Sequence, residues 1–147
     1  MIKIQAKGKT YIATESGEAL ATRGSMGAVY TPNGTTLQVK RAWINIAASA
    51  TATELIPAVA NAVIRIISLA MVSGGTATNV TFNSASVACG PLWANGANGG
   101  IVLPRNDDGW IQGLAINEAI TVTTGPGSTT GIVALFVEIP EDEFFLL

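Results

Sequence analysis

The chain has 147 residues, of which 12% are charged and 48% hydrophobic, with a formal net charge of -2 and no histidine. Charged residues usually make up about a quarter of a globular domain, so few charges on so small a body imply that another chain covers part of its surface. The lack of a basic field argues against nucleic acid as a partner, and the lack of histidine removes Ser-His-Asp, Cys-His and most zinc sites.

Residues 1–35 carry Lys3, Lys7, Lys9 and Arg23 against Glu15 and Glu18, a local charge of 4 − 2 = +2, with glycines at 8, 17, 24, 27 and 34. Such a stretch has too little apolar surface to build a core of its own. It reads as an extended N-terminal arm that orders by lying on something else, with Tyr11 and Tyr30 among its apolar anchors; the bland alternative is an edge strand added to its own domain. The first residues lack the continuous apolar segment of a signal peptide. The most hydrophobic stretch, Leu55 to Val72, is broken by Pro57, Asn61 and Arg65, so no membrane helix is expected.

Residues 36–139 form short apolar runs separated by turn residues. Leu37 to Ile46 and Leu55 to Val59 come first, and Ala60-Asn61-Ala62 can turn the chain. Val63–Val72 is rich in β-branched residues and ends at Ser73-Gly74-Gly75. Val80 and Phe82 alternate with polar neighbours, and Val87–Trp93, Gly100–Leu103, Trp110–Leu114, Ile116–Val122 and Ile132–Ile139 follow. About eight regularly spaced strands with no intervening helix point to an all-β antiparallel sandwich or barrel. Val63–Val72 and Ile132–Ile139 are apolar on both faces, whereas an antiparallel sheet normally wets one. A third layer is therefore required, and a subunit partner is the expected supplier. The tail at 140–147, Pro140-Glu-Asp-Glu-Phe-Phe-Leu-Leu147, is acidic and then apolar. It must pack somewhere, on its own domain or on a neighbour.

The sequence holds almost no constellation of reactive side chains. Cys89 has no imidazole to activate it and reads as a small buried residue. Asn106-Asp107-Asp108-Gly109 lacks the alternating ligands of a calcium loop and reads as a tight turn. Asp107 or Asp108 with Glu118 has nothing to mark it as a hydrolytic pair. Gly125-Pro-Gly-Ser128 has no phosphate-binding lysine and reads as a hairpin loop. No catalytic residues, cofactor, metal or small-molecule substrate are expected, and the chain is read as a non-enzyme. Trp43, Trp93 and Trp110 could form a sugar-stacking platform; their places within apolar runs favour core or subunit contacts instead. Phe136, Phe144 and Phe145 join them as candidate subunit contacts.

From Ala47 onward the chain resembles small virion proteins of tailed bacteriophages. The resemblance is carried by Val63–Val72, Asn79-Val-Thr-Phe82, Gly99-Gly-Ile-Val-Leu-Pro104, Gly109-Trp110, the run from Gly113 to Val122, and Gly131–Ile139. It implies a jelly-roll-like antiparallel β-sandwich on the outer capsid surface, assembled in the host cytoplasm, acting as a decoration (cement) protein. Its implied partners are itself, as a trimer rather than a dimer, and the major capsid protein, with no nucleic acid or membrane. Lys3, Lys7, Lys9, Tyr11, Arg23 and Tyr30 would then form a capsid-binding arm. The alternative is a receptor- or glycan-binding module of a tail or fibre.

Overall fold

A computed structural model describes the backbone of residues 27–144 and the side chains through Glu143. Eleven strands and one helical turn make up this body: β1 (Ala28–Tyr30), β2 (Thr36–Gln38), β3 (Lys40–Ile46), β4 (Thr53–Ile56), β5 (Ala62–Ser73), β6 (Thr78–Ser84), β7 (Val87–Asn95), β8 (Gly100–Leu103), β9 (Ile111–Gln112), β10 (Ile120–Thr124), β11 (Thr130–Pro140) and α1 (Glu141–Phe144). All pairings are antiparallel.

One sheet has the order β4-β10-β6-β7 and the other β3-β11-β5-β8, with β9 also paired to β5. Without the β1–β2 hairpin and the two-residue β9, eight strands remain. One sheet takes the first, eighth, third and sixth of them, and the other takes the second, seventh, fourth and fifth. That order is a jelly-roll β-sandwich, in which consecutive strands alternate between the sheets except where β6 turns directly into β7. The stretch from Ala47 to Ala70 forms strands, as its β-branched content requires. Asn61, at φ 58, makes the turn between β4 and β5. Gly125–Ser128 differs from expectation. It joins β10 in one sheet to β11 in the other, so it is a crossover and not a hairpin loop.

Between the sheets lies one continuous core that includes Ile46, Ile56, Ile64, Ile66, Leu69, Met71, Val80, Phe82, Ile120, Val122, Ile132, Ala134 and Phe136. Each large side chain here contributes about 1.5–3 kcal/mol by leaving water. Phe136, expected at a subunit contact, is instead part of this intramolecular core, because its position on β11 points between the sheets.

A bulge changes the pattern halfway along β5. Leu135 pairs with Ser68 and Phe136 with Ile66, so Ile67 is an extra residue on β5. Ile64 and Ile66 face inward before it, Leu69 and Met71 after it, and Ile67 is turned to the outer face. There it joins a second cluster with Val29, Leu37, Val39, Val137 and Ile139. The third layer over this half of the strands is therefore the chain's own β1–β2 hairpin. Residues 28–35, placed in the arm by composition, belong to the folded body, since β1 pairs with β2 and Val29 is buried.

Candidate docking face and the Arg65 pocket

The hairpin covers only half of the outer face of the five-stranded sheet. Beyond it, strand register aligns a row across four strands: Trp43 opposite Val133, Val133 opposite Ala70, and Ala70 opposite Val102. Trp43 is 67% exposed, Val102 77%, Val72 in the adjoining row 59% and Val133 38%. In that adjoining row Asn45, Gly131, Val72 and Gly100 pair in the same way. The small Gly131 leaves a shallow apolar hollow of about 240 Å³ bordered by Trp43, Val72 and Val133. Arg41, opposite Leu135, is the charged residue next to the row on β3.

The outer face of the other sheet has opposite chemistry. Its aligned row runs Glu54, Thr121, Asn83 and Ala88. Asn83 Nδ2 donates to Thr121 Oγ1 at 3.2 Å and Thr123 Oγ1 at 3.0 Å, and Thr121 Oγ1 donates to the Ala85 carbonyl. Thr81 and Asn79 continue this polar surface, and its exposed Leu92 is confined to the edge strand β7. Asn83 and Thr121 are themselves buried. The part of this face that meets water is carried by exposed Glu54 and Asn79 and half-buried Thr81 and Thr123, whereas the other face is half covered and half bare hydrocarbon.

Next to the hairpin lies a cavity of about 310 Å³, lined by Val29, Tyr30, Thr31, Pro32, Leu37, Ile139, Arg65, Asp107 and Asp108. Arg65 is 9% exposed. Its Nε donates to Gln112 Oε1 at 2.9 Å and its Nη1 to the Asp107 carbonyl at 3.0 Å. The 106–109 turn is shaped around it. Gly109 sits at φ +86, and a Cβ there would lie 2.5 Å from Arg65 Cγ, so a side chain at 109 would collide with the arginine stem. Arg105 ties the turn to the hairpin, donating to the Ala28 carbonyl at 2.7 Å and pairing with Asp107 at 2.8 Å. Burial pushes the Arg65 pKa below its ordinary value, against the opposing pull of the Asp108 charge.

The tail begins as expected from its composition, acidic residues first, but as a single helical turn. Glu143 is buried on the hairpin turn, accepting from Thr35 Oγ1 at 2.9 Å and Asn33 Nδ2 at 3.3 Å. Hydrogen bonding from Thr31 first, then Thr35 and Asn33, holds its carboxyl below the ordinary carboxylate range against the opposing effect of burial. The Phe144 side chain and Phe145 lie outside what is described, as do Lys3, Lys7, Lys9, Tyr11 and Arg23. Tyr30 lies on β1, exposed at the rim of the Arg65 cavity.

The three tryptophans are not brought together. Trp43 is on the edge strand β3, and Trp110 precedes β9 at the opposite side of the same sheet. Trp110 Nε1 donates to the Pro104 carbonyl at 2.7 Å. Trp93, on β7 of the other sheet, leans on the inter-sheet core. Nor do the acids pair. Glu118 accepts a short hydrogen bond from Ser84 Oγ, and Asp107 is engaged by Arg105. Among the described residues no group of three or more His, Cys, Asp or Glu could hold a metal ion, and no helix is long and apolar enough to cross a membrane. Cys89 is half-buried, with desolvation first and the Glu118 charge besides pushing its thiol up to about 11. Sequence reasoning passed over Arg65; its signal was a lone cation inside a run of β-branched residues. Comparison with family models, curated proteins and solved structures found no match.

Proposed function

We propose that this chain is a structural virion protein, a decoration or cement protein that docks on the outer shell of a tailed-bacteriophage capsid and stabilises it. The reading rests on the sequence resemblance, and the observation that carries it is the inequality of the two outer faces. A decoration protein needs one surface that prefers a protein neighbour to water and an opposite surface that does not. The row Trp43–Val133–Ala70–Val102 suits the first role, and the polar side that presents Glu54, Asn79, Thr81 and Thr123 suits the second. Scattered apolar residues are ordinary on a monomer; a contiguous patch across four strands is the kind that marks an interaction site. The jelly-roll fold is compatible with this role but does not select it, since one fold serves many functions. The same apolar face, with Trp43 at its edge, is available for self-association, for which a trimer is our reading. The protein acts without catalysis or cofactor, with the major capsid protein as its partner. A glycan-binding module of a tail or fibre would draw support from converging tryptophans, and these do not converge.

The test is co-sedimentation with capsids that lack the protein, comparing the native chain with Trp43→Ala and Val102→Glu. Both side chains are largely exposed, so the variants should melt within about 0.5 kcal/mol of the native protein. Their capsid affinity should fall at least about tenfold, the order expected when an interface-centre residue is lost. Undiminished binding by both variants would overturn the assignment of this face.

A further inference from the structure

Arg65 is a buried cation whose local structure leaves part of it unused. Removing one partner from a buried ion pair is costly because an uncompensated charge remains, and buried charges are accordingly paired or fully hydrogen-bonded. Among the described residues, Arg65 has no carboxylate within ion-pair distance. Two of the five N–H groups of a guanidinium are used, by Gln112 and the Asp107 carbonyl. The Nη2 nitrogen has no protein acceptor, yet it is not among the polar atoms sealed from solvent. Arg65 is the cationic residue in the lining of the 310 Å³ cavity, and its Nη2 edge is the part left without a protein partner. The remaining walls are hydrocarbon from Val29, Leu37, Pro32 and Ile139, the Tyr30 side chain, Thr31, whose hydroxyl is engaged by the Thr35 N–H and Glu143, and the Asp107–Asp108 turn. Apolar walls with a few placed polar groups are the general form of a ligand site.

We propose that this cavity receives a carboxylate carried on an apolar body, with the free edge of Arg65 as its charge-assisted donor. Guanidinium matches carboxylate in shape as well as charge, and such hydrogen bonds are about twice as strong as neutral ones. Asp107 does not compete for Arg65, because its carboxylate pairs with Arg105. Asp108, exposed at the rim and outside ion-pair distance, weakens anion binding and sets a modest affinity. On the docking reading above, the carboxylate belongs to a glutamate or aspartate beside an aliphatic residue on the shell. A free branched-chain carboxylic acid offers the same chemistry.

The test is a titration of the isolated full chain, followed by methyl NMR of Val29, Leu37 and Ile139. The probes are 4-methylpentanoate, its neutral amide, and the capped tripeptide acetyl-Leu-Glu-Leu-amide. Saturable shifts with the acid and not the amide are expected, lost in Arg65→Gln. Asp108→Asn, on an exposed turn, keeps the fold testable if the Arg65 variant fails; it should tighten acid binding about threefold or more by removing a like charge. Displacement of the acid by the tripeptide assigns the site to a protein side chain, and a tripeptide without effect assigns it to a free acid. Equal response to acid and amide, or weaker acid binding in Asp108→Asn, would overturn the proposal. Because capsids are absent, failure here leaves the docking reading standing, and failed capsid binding leaves this site standing.

Discussion

Val29→Ala separates two views of the first described residues. If residues 28–35 were an arm that orders only on a partner, the substitution would not affect the free protein. In the fold described above, Val29 is buried against Leu37, Val39, Ile67, Val137 and Ile139. Removing its two methyl groups forfeits about 1.6 kcal/mol at roughly 0.8 kcal/mol per group, and incomplete collapse of the cavity brings the loss to about 2 kcal/mol. For a body of this size each kcal/mol moves the melting temperature by about 4 °C, so a fall of about 8 °C is expected. Tyr30→Ala is an internal control on the opposite face of β1, where the ring is exposed; it should shift the midpoint by no more than about 2 °C. Circular-dichroism melts of the three proteins, free of any particle, decide the matter. A Val29→Ala variant that melts with the native protein would refute the hairpin as a covering layer and return residues 28–35 to the arm.

Two further outcomes follow from the titrating groups. Cys89, with its thiol at about 11, has about one part in a thousand as thiolate at pH 8; iodoacetamide should label it far more slowly than a free model thiol until denaturant is added, and rapid labelling of the native protein would contradict its packing. Glu143 has a folded-state pKa below its unfolded value, so it contributes stability above the ordinary value of about 4.3 and loses it as pH falls through the lower folded value. Native protein should therefore lose its stability advantage over Glu143→Gln on acidification from pH 5 downward; a difference independent of pH would show that the carboxylate does not hold α1 to the hairpin.

The jelly-roll's strands were legible because their signal is local. β-Branched runs such as Val63–Ile67 and turn residues such as Asn61 and Gly109 act within a few positions of themselves. The third layer was legible as a need, from the two-faced Val63–Val72 and Ile132–Ile139, but its supplier was not. Val29 and Leu37 are single apolar residues in glycine-rich and polar surroundings, and their burial depends on Ile67, which stays on the outer face while the bulge opposite Leu135 and Phe136 returns Leu69 and Met71 to the core. Likewise Phe136 looked free for a partner because the parity that turns it inward is fixed by pairing with β3 and β5. The exposed row was hidden for the same reason. Trp43, Val133, Ala70 and Val102 come from four strands, and only the register places them side by side. Arg65 was visible as an interruption, yet its unused edge depends on Gln112 and the Asp107 carbonyl, more than forty positions away.

The most direct test of the docking account is an electron-microscopy map of a native tailed-phage particle carrying this protein. The account predicts that Trp43, Val133 and Val102 face the shell or a neighbouring copy, while Asn79, Thr81 and Thr123 face outward to solvent. A map with the Asn79 face against the shell and the Trp43 row bare would contradict it.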